Sequence, residues 1–412
     1  MKWNSELLGE LVRRSDGLLQ TGPFGSQLHE SDYVEDGVGV VMPKDIVAGR
    51  IDASSVARVS DETADRLARH RLREGSVLMP RRGDITKHAL VSDSHIGWLC
   101  GTGCLQVWIG DSYVLPEYLG YYLDLQEVGR WLEQNAVGTT MLNLSAKIVS
   151  KLPIRYPHRD EQRAIVHVLK SYDDLIAYNQ RRITLLEEAA RHLYREWFVR
   201  LRFRGAEHTR MVDGLPEGWE ERPLGKCARF LSGGTPNKSR VEYWEGDIPW
   251  ASSGELTQLR LHDTELHVSA EGVDAGSRLV PANTILAVVR GMSLAREFRI
   301  VMTAREMAFN QDLKALVCSD DVDPFYLFFS LVDRRGYIRD LATEAAHGTK
   351  KLEMSTLERV SIKLPPPRLQ TLFREVVDPL MGQWDNLTRQ NTKLRTARDL
   401  LLPRLMSGQL TV

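Results

Sequence analysis

A chain of 412 residues is too long for one ordinary core, so two or three domains are expected, each able to fold without disulfide staples. Its 54 basic and 55 acidic side chains nearly balance, which neither demands nor excludes a polyanionic partner. Four scattered cysteines, no apolar N-terminal segment with basic flanks and no apolar run of about 20 residues exclude a disulfide framework and a membrane span, and lead us to expect a cytoplasmic protein.

Residues 1–155 read as a mixed domain. Short β-rich runs, VGVVMP, SVLMP and CLQVWIG, alternate with turn signals, and a helical stretch follows near residues 116–135. The loops between them are polar: QTGPFGSQ offers Gln20, Thr21, Ser26 and Gln27, MPKD offers Lys44, and PRRGDITKH offers Arg81, Arg82, Lys87 and His88. Arg and Lys match guanine, Asn and Gln match adenine, and hydroxyls or backbone amides meet phosphates. Each of these residues is equally at home as a solvated turn side chain.

The block NAVGTTMLNLSAKIVSKLPI, residues 135–154, closes this domain. Gly138-Thr139-Thr140 has the makeup of a turn whose amides and hydroxyls can meet a phosphate, ahead of a helix starting near Ser145, with Lys147 adding charge. A purely structural cap is the alternative.

Residues 156–204 read as a long helix. From Ile165 the apolar positions run Leu169, Tyr172, Ile176, Asn179, Ile183, Leu186, Ala190, Leu193 and Trp197, alternating four and three, which is a coiled-coil seam. Its extent is about 33 residues, or roughly 50 Å. A polar linker, RFRGAEHTRMVDGLPEGWEERPLG at 202–225, then leads into a second mixed domain over 205–366. There TILAVVRG and LKALVCS read as strands and PFYLFFSLVDRRGYIRDLA as a helix. The candidate contact residues of this half are Thr235, Asn237, Lys238, Arg240, Ser252, Ser253, Arg290, Asn310 and Gln311. AAHGTKKLEMSTLERVSIKLP, residues 345–365, repeats the block that closed the first half, and places Thr349, Lys350 and Lys351 ahead of a helix starting near Ser355.

The repetition is general. VLPEYLGYYL at Val114 matches VDPFYLFFSL at Val322, and Arg82-Gly83 matches Arg290-Gly291, both displaced by 208. The same displacement carries the first seam onto Phe373, Val377, Leu380, Trp384, Leu387, Asn391, Leu394, Arg398, Leu401 and Leu405, so residues 367–412 form a second long helix in which only Arg398 breaks the pattern. Each seam follows a proline-containing segment, LPIRYPHRDEQ or LPPPRLQ. Two helices of one chain find each other at high effective concentration. An antiparallel pairing about an approximate two-fold axis would set Asn179 against Asn391 and Trp197 against Phe373. A buried Asn pair of this kind fixes register; the alternative is that each Asn faces solvent.

This plan resembles the specificity subunit of type I restriction-modification systems. DGLPEGWEERPLGKCARFLSGGTPNKSRVEYWEGDIPWASSGEL (213–256) looks like the opening of a second target recognition domain, EQRAIVHVLKSYDDLIAYNQRRITLLEEAARHLYREWFVRLRF (161–203) like the first helical region, and LLLPRLMSGQL (400–410) like the family's C-terminal end. One departure is Leu369-Gln370 at the second helix start, where the first has Glu161-Gln162. The resemblance implies an α+β chain with two target recognition domains of similar fold, separated by an antiparallel coiled coil of two long helices and pseudo-two-fold symmetric. It also implies a non-catalytic reader of double-stranded DNA that assembles with two methyltransferase subunits and with restriction-translocase subunits. S-adenosylmethionine and ATP are then expected on those partners, with no cofactor held by this chain. Two unlike readers on a fixed strut would recognise a bipartite, asymmetric site.

Other chemistries find little support. No glycine-rich cofactor turn with an Asn/Asp-Pro-Pro-aromatic motif is present, and LPPPR has no amide or acid before its prolines. No Walker-type loop occurs. QDLK, with Asp312 and Lys314, mimics only the end of a metal-dependent nuclease site, and Cys100, Cys104 and His95 lack a second pair of zinc ligands. The remaining alternative class is a coiled-coil scaffold whose domains bind protein rather than DNA.

Overall fold

A computed structural model describes residues 3–110, 113–138, 142–345 and 349–412. The chain divides into two compact units, residues 1–176 with 393–412, and residues 177–392. The division cuts both long helices, so each unit holds one mixed domain together with a portion of each helix.

In the first unit, Leu18–Thr21, Cys104–Trp108, Val77–Pro80 and Ala89–Leu90 form one sheet in that order, and Leu99–Cys100, Val38–Val41, Ala57–Val59 and Tyr33–Val34 form another. The runs read as strands in the sequence are strands. Val77, Leu78 and Met79 are buried without alternation, as strands covered on both faces are. Asn4–Leu7 pairs antiparallel with Pro153–Tyr156, tying the two ends of the domain together beside the helices. The expected helix near 116–135 is two helices, Pro116–Leu123 and Gln126–Asn135, because Leu125 turns extended and buries its side chain.

The second unit repeats the plan with a five-stranded sheet, ordered Ala228–Ser232, Leu313–Cys318, Ile285–Val288, Ile300–Thr303 and Arg260–Leu261. Glu220–Pro223 pairs with Ser361–Leu364 as the closing ladder. The helix read from PFYLFFSLVDRRGYIRDLA likewise divides, into Pro324–Asp333 and Arg335–Asp340, at Arg334.

The long helices span Arg159–Tyr194 and Pro367–Met406, the first continuing through one wider turn, Arg195–Val199. All twenty seam positions are buried or half-buried. In the first unit Ile165 and Leu169 share a core with Leu402, Leu405 and Met406. In the second, Ile183, Ala190 and Tyr194 share one with Phe373, Val377, Trp384 and Leu387. There Asn179 meets Asn391 and Trp197 lies 6.1 Å from Phe373, ring centre to ring centre, so the helices run antiparallel as the seam arithmetic requires. Each fully buried Leu or Phe of such a seam contributes about 1.5–3 kcal/mol. Among the described residues no helix is long and apolar enough to cross a membrane.

Each mixed domain docks on its helices through a buried glutamine. Gln162 accepts from the Leu115 amide at 2.8 Å and donates to the carbonyls of Tyr113 and Pro157 at 2.8 and 2.9 Å. Gln370 accepts from the Asp323 amide at 2.8 Å and donates to those of Asp321 and Pro365 at 3.3 and 2.8 Å. Every one of these positions is related by 208, so the departure at Leu369 leaves the polar contact at the helix start intact.

Candidate nucleic-acid interface

In the first unit three polar loops are tied to one turn, Gly101 to Gly103. Gly22 approaches this turn so closely that an added Cβ would stand 1.9 Å from the Gly101 carbonyl oxygen. The Gly101 amide donates to the Val41 carbonyl at 2.9 Å, which draws in the Met42–Asp45 loop, and Gly103 lies against Pro43. The Arg81 amide donates to the Gly103 carbonyl at 2.7 Å, and the Leu144 amide donates back to the Arg81 carbonyl at 2.8 Å. Segments beginning at residues 20, 42, 81 and 142 thus converge on one backbone hub.

The second unit builds the same hub. Gly233 presses on the carbonyls of Phe309 and Asn310, where an added Cβ would stand 2.2 and 2.6 Å away. The Asn310 amide donates to Ala251 at 2.9 Å, the Val289 amide to Asp312 at 2.9 Å, and the Leu352 amide to Val289 at 2.8 Å. Ser252, Ser253, Arg290 and the segment 349–351 are thereby gathered. The side chains presented differ from those of the first unit although the frame does not.

Beside each hub is a small corner of paired strands. In the second unit Arg290 faces Lys351 and Gly291 faces Lys350, with Thr343–Glu344 on the far side. In the first, Arg82 bridges Asn143, which bridges Val137 in turn. Arg82 and Arg290, matched in the sequence, therefore stand at equivalent places, both exposed. Lys351 pairs with Glu353 at 2.7 Å, whereas Arg290 and Lys350 have no ion-pair partner among the described residues.

The remaining predicted residues are distributed as follows. Gln20 donates to the Arg69 carbonyl, and Thr21 lies in a strand opposite Leu105. Gln27 accepts from the Phe24 amide at 3.2 Å, fixing a turn in which Phe24 and Ser26 are exposed. Lys44 is exposed and donates to the Ser55 carbonyl at 3.2 Å, Arg81 donates to the Leu144 carbonyl at 3.3 Å, and Lys87 pairs with Asp84 at 3.3 Å. Thr235 donates to Gln311 at 2.6 Å; Asn237 accepts from Ser239, Lys238 is exposed, and Arg240 pairs with Glu242 at 2.9 Å. Two candidates are turned inward. His88 is 6% exposed and faces Asp124 at 3.7 Å, its imidazole held below its ordinary value by burial. Asn310 is equally buried, and its side chain accepts from the Asp312 amide at 3.1 Å within the hub. Both stabilise their loops rather than project from them.

Thr139 and Thr140 lie outside the described residues, as does Gly348. Ser145 does cap the short helix Ala146–Val149, accepting from the Ile148 amide at 3.2 Å, and Lys147 is exposed on it. The second copy differs from expectation. Lys350 and Lys351 are in a strand, the Thr349 carbonyl accepts from Ala345 to close a hairpin, and the helix begins at Met354 after Glu353, so Ser355 is inside it and not its cap. Met354 stands 208 residues after Ala146, so the two short helices begin at equivalent positions, with Glu353 where the first has Ser145.

Cys100 and Cys104 flank the hub. Burial pushes the Cys100 thiol up to about 12 and the Cys104 thiol further, so both are neutral packing groups. Among the described residues no three His, Cys, Asp or Glu side chains stand together as ligands for a metal ion. The hub itself was missed by reading CGTGC for its cysteines. The signal lay in its glycines, and in Gly22-Pro23 and Gly233-Gly234 opposite them.

The model of the type I restriction modification DNA specificity domain matches residues 45–188 and again residues 216–395. The specificity subunit of the MjaIX type I restriction enzyme of Methanocaldococcus jannaschii is 25% identical over 309 residues, covering 73% of this chain and 70% of that protein. The HindI specificity subunit of Haemophilus influenzae is 22% identical over 409 residues, covering 83% of this chain and 88% of that protein. The crystal structure of a type I restriction-modification S subunit from M. genitalium shares the fold with a TM-score of 0.58 at 17% identity, over 98% of this chain and 96% of that one. With two copies of the domain accounting for most of its length, the chain belongs to the type I restriction-modification DNA specificity family, as a specificity subunit and not a catalytic one.

Proposed function

We propose that this chain reads a bipartite, asymmetric site on double-stranded DNA, one half by each unit, and offers the bound duplex to two methyltransferase subunits and to restriction-translocase subunits. The division of labour follows 1–155 and 205–366 as readers, 156–204 and 367–412 as helical regions. The observation that supports this reading is the repeated hub: an identical backbone frame carrying unlike side chains is what two readers of different half-sites require. Arg82, Arg290, Lys350 and Lys351 are the contacts we favour most, because they are gathered at equivalent corners. Sequence-independent affinity would come from such cations and from Lys44 and Lys147.

Docking of a methyltransferase subunit is assigned to the exposed face of the first long helix, where Tyr178 and Leu185 stand open with Arg182 lying over the Tyr178 ring. Tyr194 and Phe198 of the same helical region are buried among Tyr326 and Phe373 and belong to the unit's own core. S-adenosylmethionine and ATP are proposed to act on the partner subunits, in the cytoplasm.

The test is to map methylated adenines in cells with and without this chain, and to titrate the purified complex onto the mapped duplex across salt. A bipartite motif that disappears with the chain, and affinity that falls steeply with salt, support the proposal. Affinity flat in salt would instead favour a protein-binding scaffold.

A further inference from the structure

The two most exposed large apolar side chains among the described residues are Met292 and Val137, at 75% and 67%. They are far apart in sequence, yet each belongs to the small Arg-bearing corner beside its own unit's hub. Met292 directly follows the Arg290–Gly291 strand, which pairs with Lys350–Lys351, and Val137 bridges Asn143 opposite Arg82. An isolated exposed apolar residue carries no message. Two such residues at the matching corners of two units do, with Met292 beside the Arg-bearing strand and Val137 across Asn143 from Arg82.

In the second unit the surroundings specify the partner. Gly291 takes φ +139°, a conformation that side chains rarely adopt, and this turns the chain so that Met292 stands outward at the strand end. Arg290 and Lys350, which lack ion-pair partners among the described residues, flank it. An unbranched apolar tip between two available cations suits a surface that is anionic at its edges and apolar within. An opened base step has that character, with phosphates along the groove rims and the apolar faces of unstacked bases within. Proteins that unstack a base step use this combination: cations hold the backbone while Met, Leu, Ile or Phe enters between bases.

We infer that Met292 is a wedge that opens one base step in the half-site read by the second unit, held to depth by Arg290 and Lys350. This rests on the DNA-reading proposal above. Val137, shorter and branched at Cβ, makes only surface apolar contact in the first unit, so the two half-sites are deformed unequally. Specificity at the opened step is then read through the ease of unstacking it and not through a hydrogen bond.

The experiment uses the complete complex with its methyltransferase subunits and the duplex mapped by adenine methylation, carrying 2-aminopurine at successive positions. Wild type and Met292→Leu should brighten the probe at one step of one half-site. Met292→Ala and Met292→Gln should abolish that signal and weaken binding about tenfold, the size of one lost base-pair contact, with the salt dependence unchanged. Arg290→Ala with Lys350→Ala should instead reduce the salt slope by about 2. If Met292→Ala binds as wild type does and leaves the 2-aminopurine profile intact, the wedge is refuted while DNA reading stands. If wild type shows no salt-dependent binding at all, the DNA reading itself fails.

Discussion

Asn179 donates from Nδ2 to Oδ1 of Asn391 at 3.0 Å, with both residues buried in the helix seam of the second unit. A single amide pair in an otherwise apolar stretch of seam is satisfied in only one register, since a slip by one turn would bury each amide against an apolar side chain. Asn391→Leu should therefore lower stability by about 1–3 kcal/mol, because it strands the Asn179 amide. Replacing both by Leu should recover most of this. Urea unfolding of the full chain followed by helical circular dichroism gives both values; a single variant as stable as wild type would remove the register role.

The pair was legible in the sequence because a heptad seam is a local pattern, and two seams of equal phase leave few ways to meet. Gln162 and Gln370 were less so. Their equal roles depend on backbone groups 47 and 49 residues earlier in the chain, and spacing alone shows no such bond. The hub was legible only through its glycines. It is made of main-chain amides and carbonyls from five separate segments, and its side-chain trace is the missing Cβ at glycines such as Gly22, Gly101, Gly103 and Gly233. Residue type alone does not separate an exposed Arg82 from a buried His88.

Arg398, the one break in the second seam, reaches Asp173 at 2.6 Å, and Tyr121 donates to the other oxygen of the same carboxylate at 2.6 Å. The positions 208 away are Ala190, Met381 and Phe329, all buried and apolar. The first unit thus uses a polar triad where the second uses packing, and the three residues differ as a set. Arg398→Ala alone should cost about 1–2 kcal/mol, discounted for the partial exposure of the pair. Arg398→Ala with Asp173→Met and Tyr121→Phe should be close to wild type, since apolar groups that pack can replace a partly buried ion pair with little loss. Thermal unfolding at two salt concentrations tests this, and a triple variant less stable than the single one would contradict it.

His70 is 2% exposed and adjoins Arg69, whose carbonyl accepts from Gln20. Burial first, and then the Arg69 cation, hold the imidazole below its ordinary value, partly offset by the Thr21 backbone. The unfolded chain therefore binds a proton that the folded one resists. Stability contributed here is complete above about pH 6.5 and is lost as pH falls toward the lowered folded value. The first unit should loosen on acidification, Gln20 and Thr21 with it. His70→Leu should flatten the pH dependence of unfolding between pH 7 and 5; equal slopes for the two proteins would exclude His70 as its source.

The hub glycines make the sharpest separation between fold and function. A methyl group at Gly22 would meet the Gly101 carbonyl at 1.9 Å, and one at Gly233 the Phe309 carbonyl at 2.2 Å. Backbone in a hydrogen-bonded turn cannot yield by that much without moving the loops tied to it, and overpacking of this kind costs about 1–3 kcal/mol. Because each hub serves only its own unit, Gly22→Ala should erase footprint protection over one half-site and Gly233→Ala over the other, while the helical circular dichroism stays the same. Gly25→Ala is the control, since its added methyl has nothing within 4 Å and should leave both halves protected. If either hub variant erased protection across the whole site, the halves would not be read independently, and the repeated frame would have to serve assembly instead of recognition.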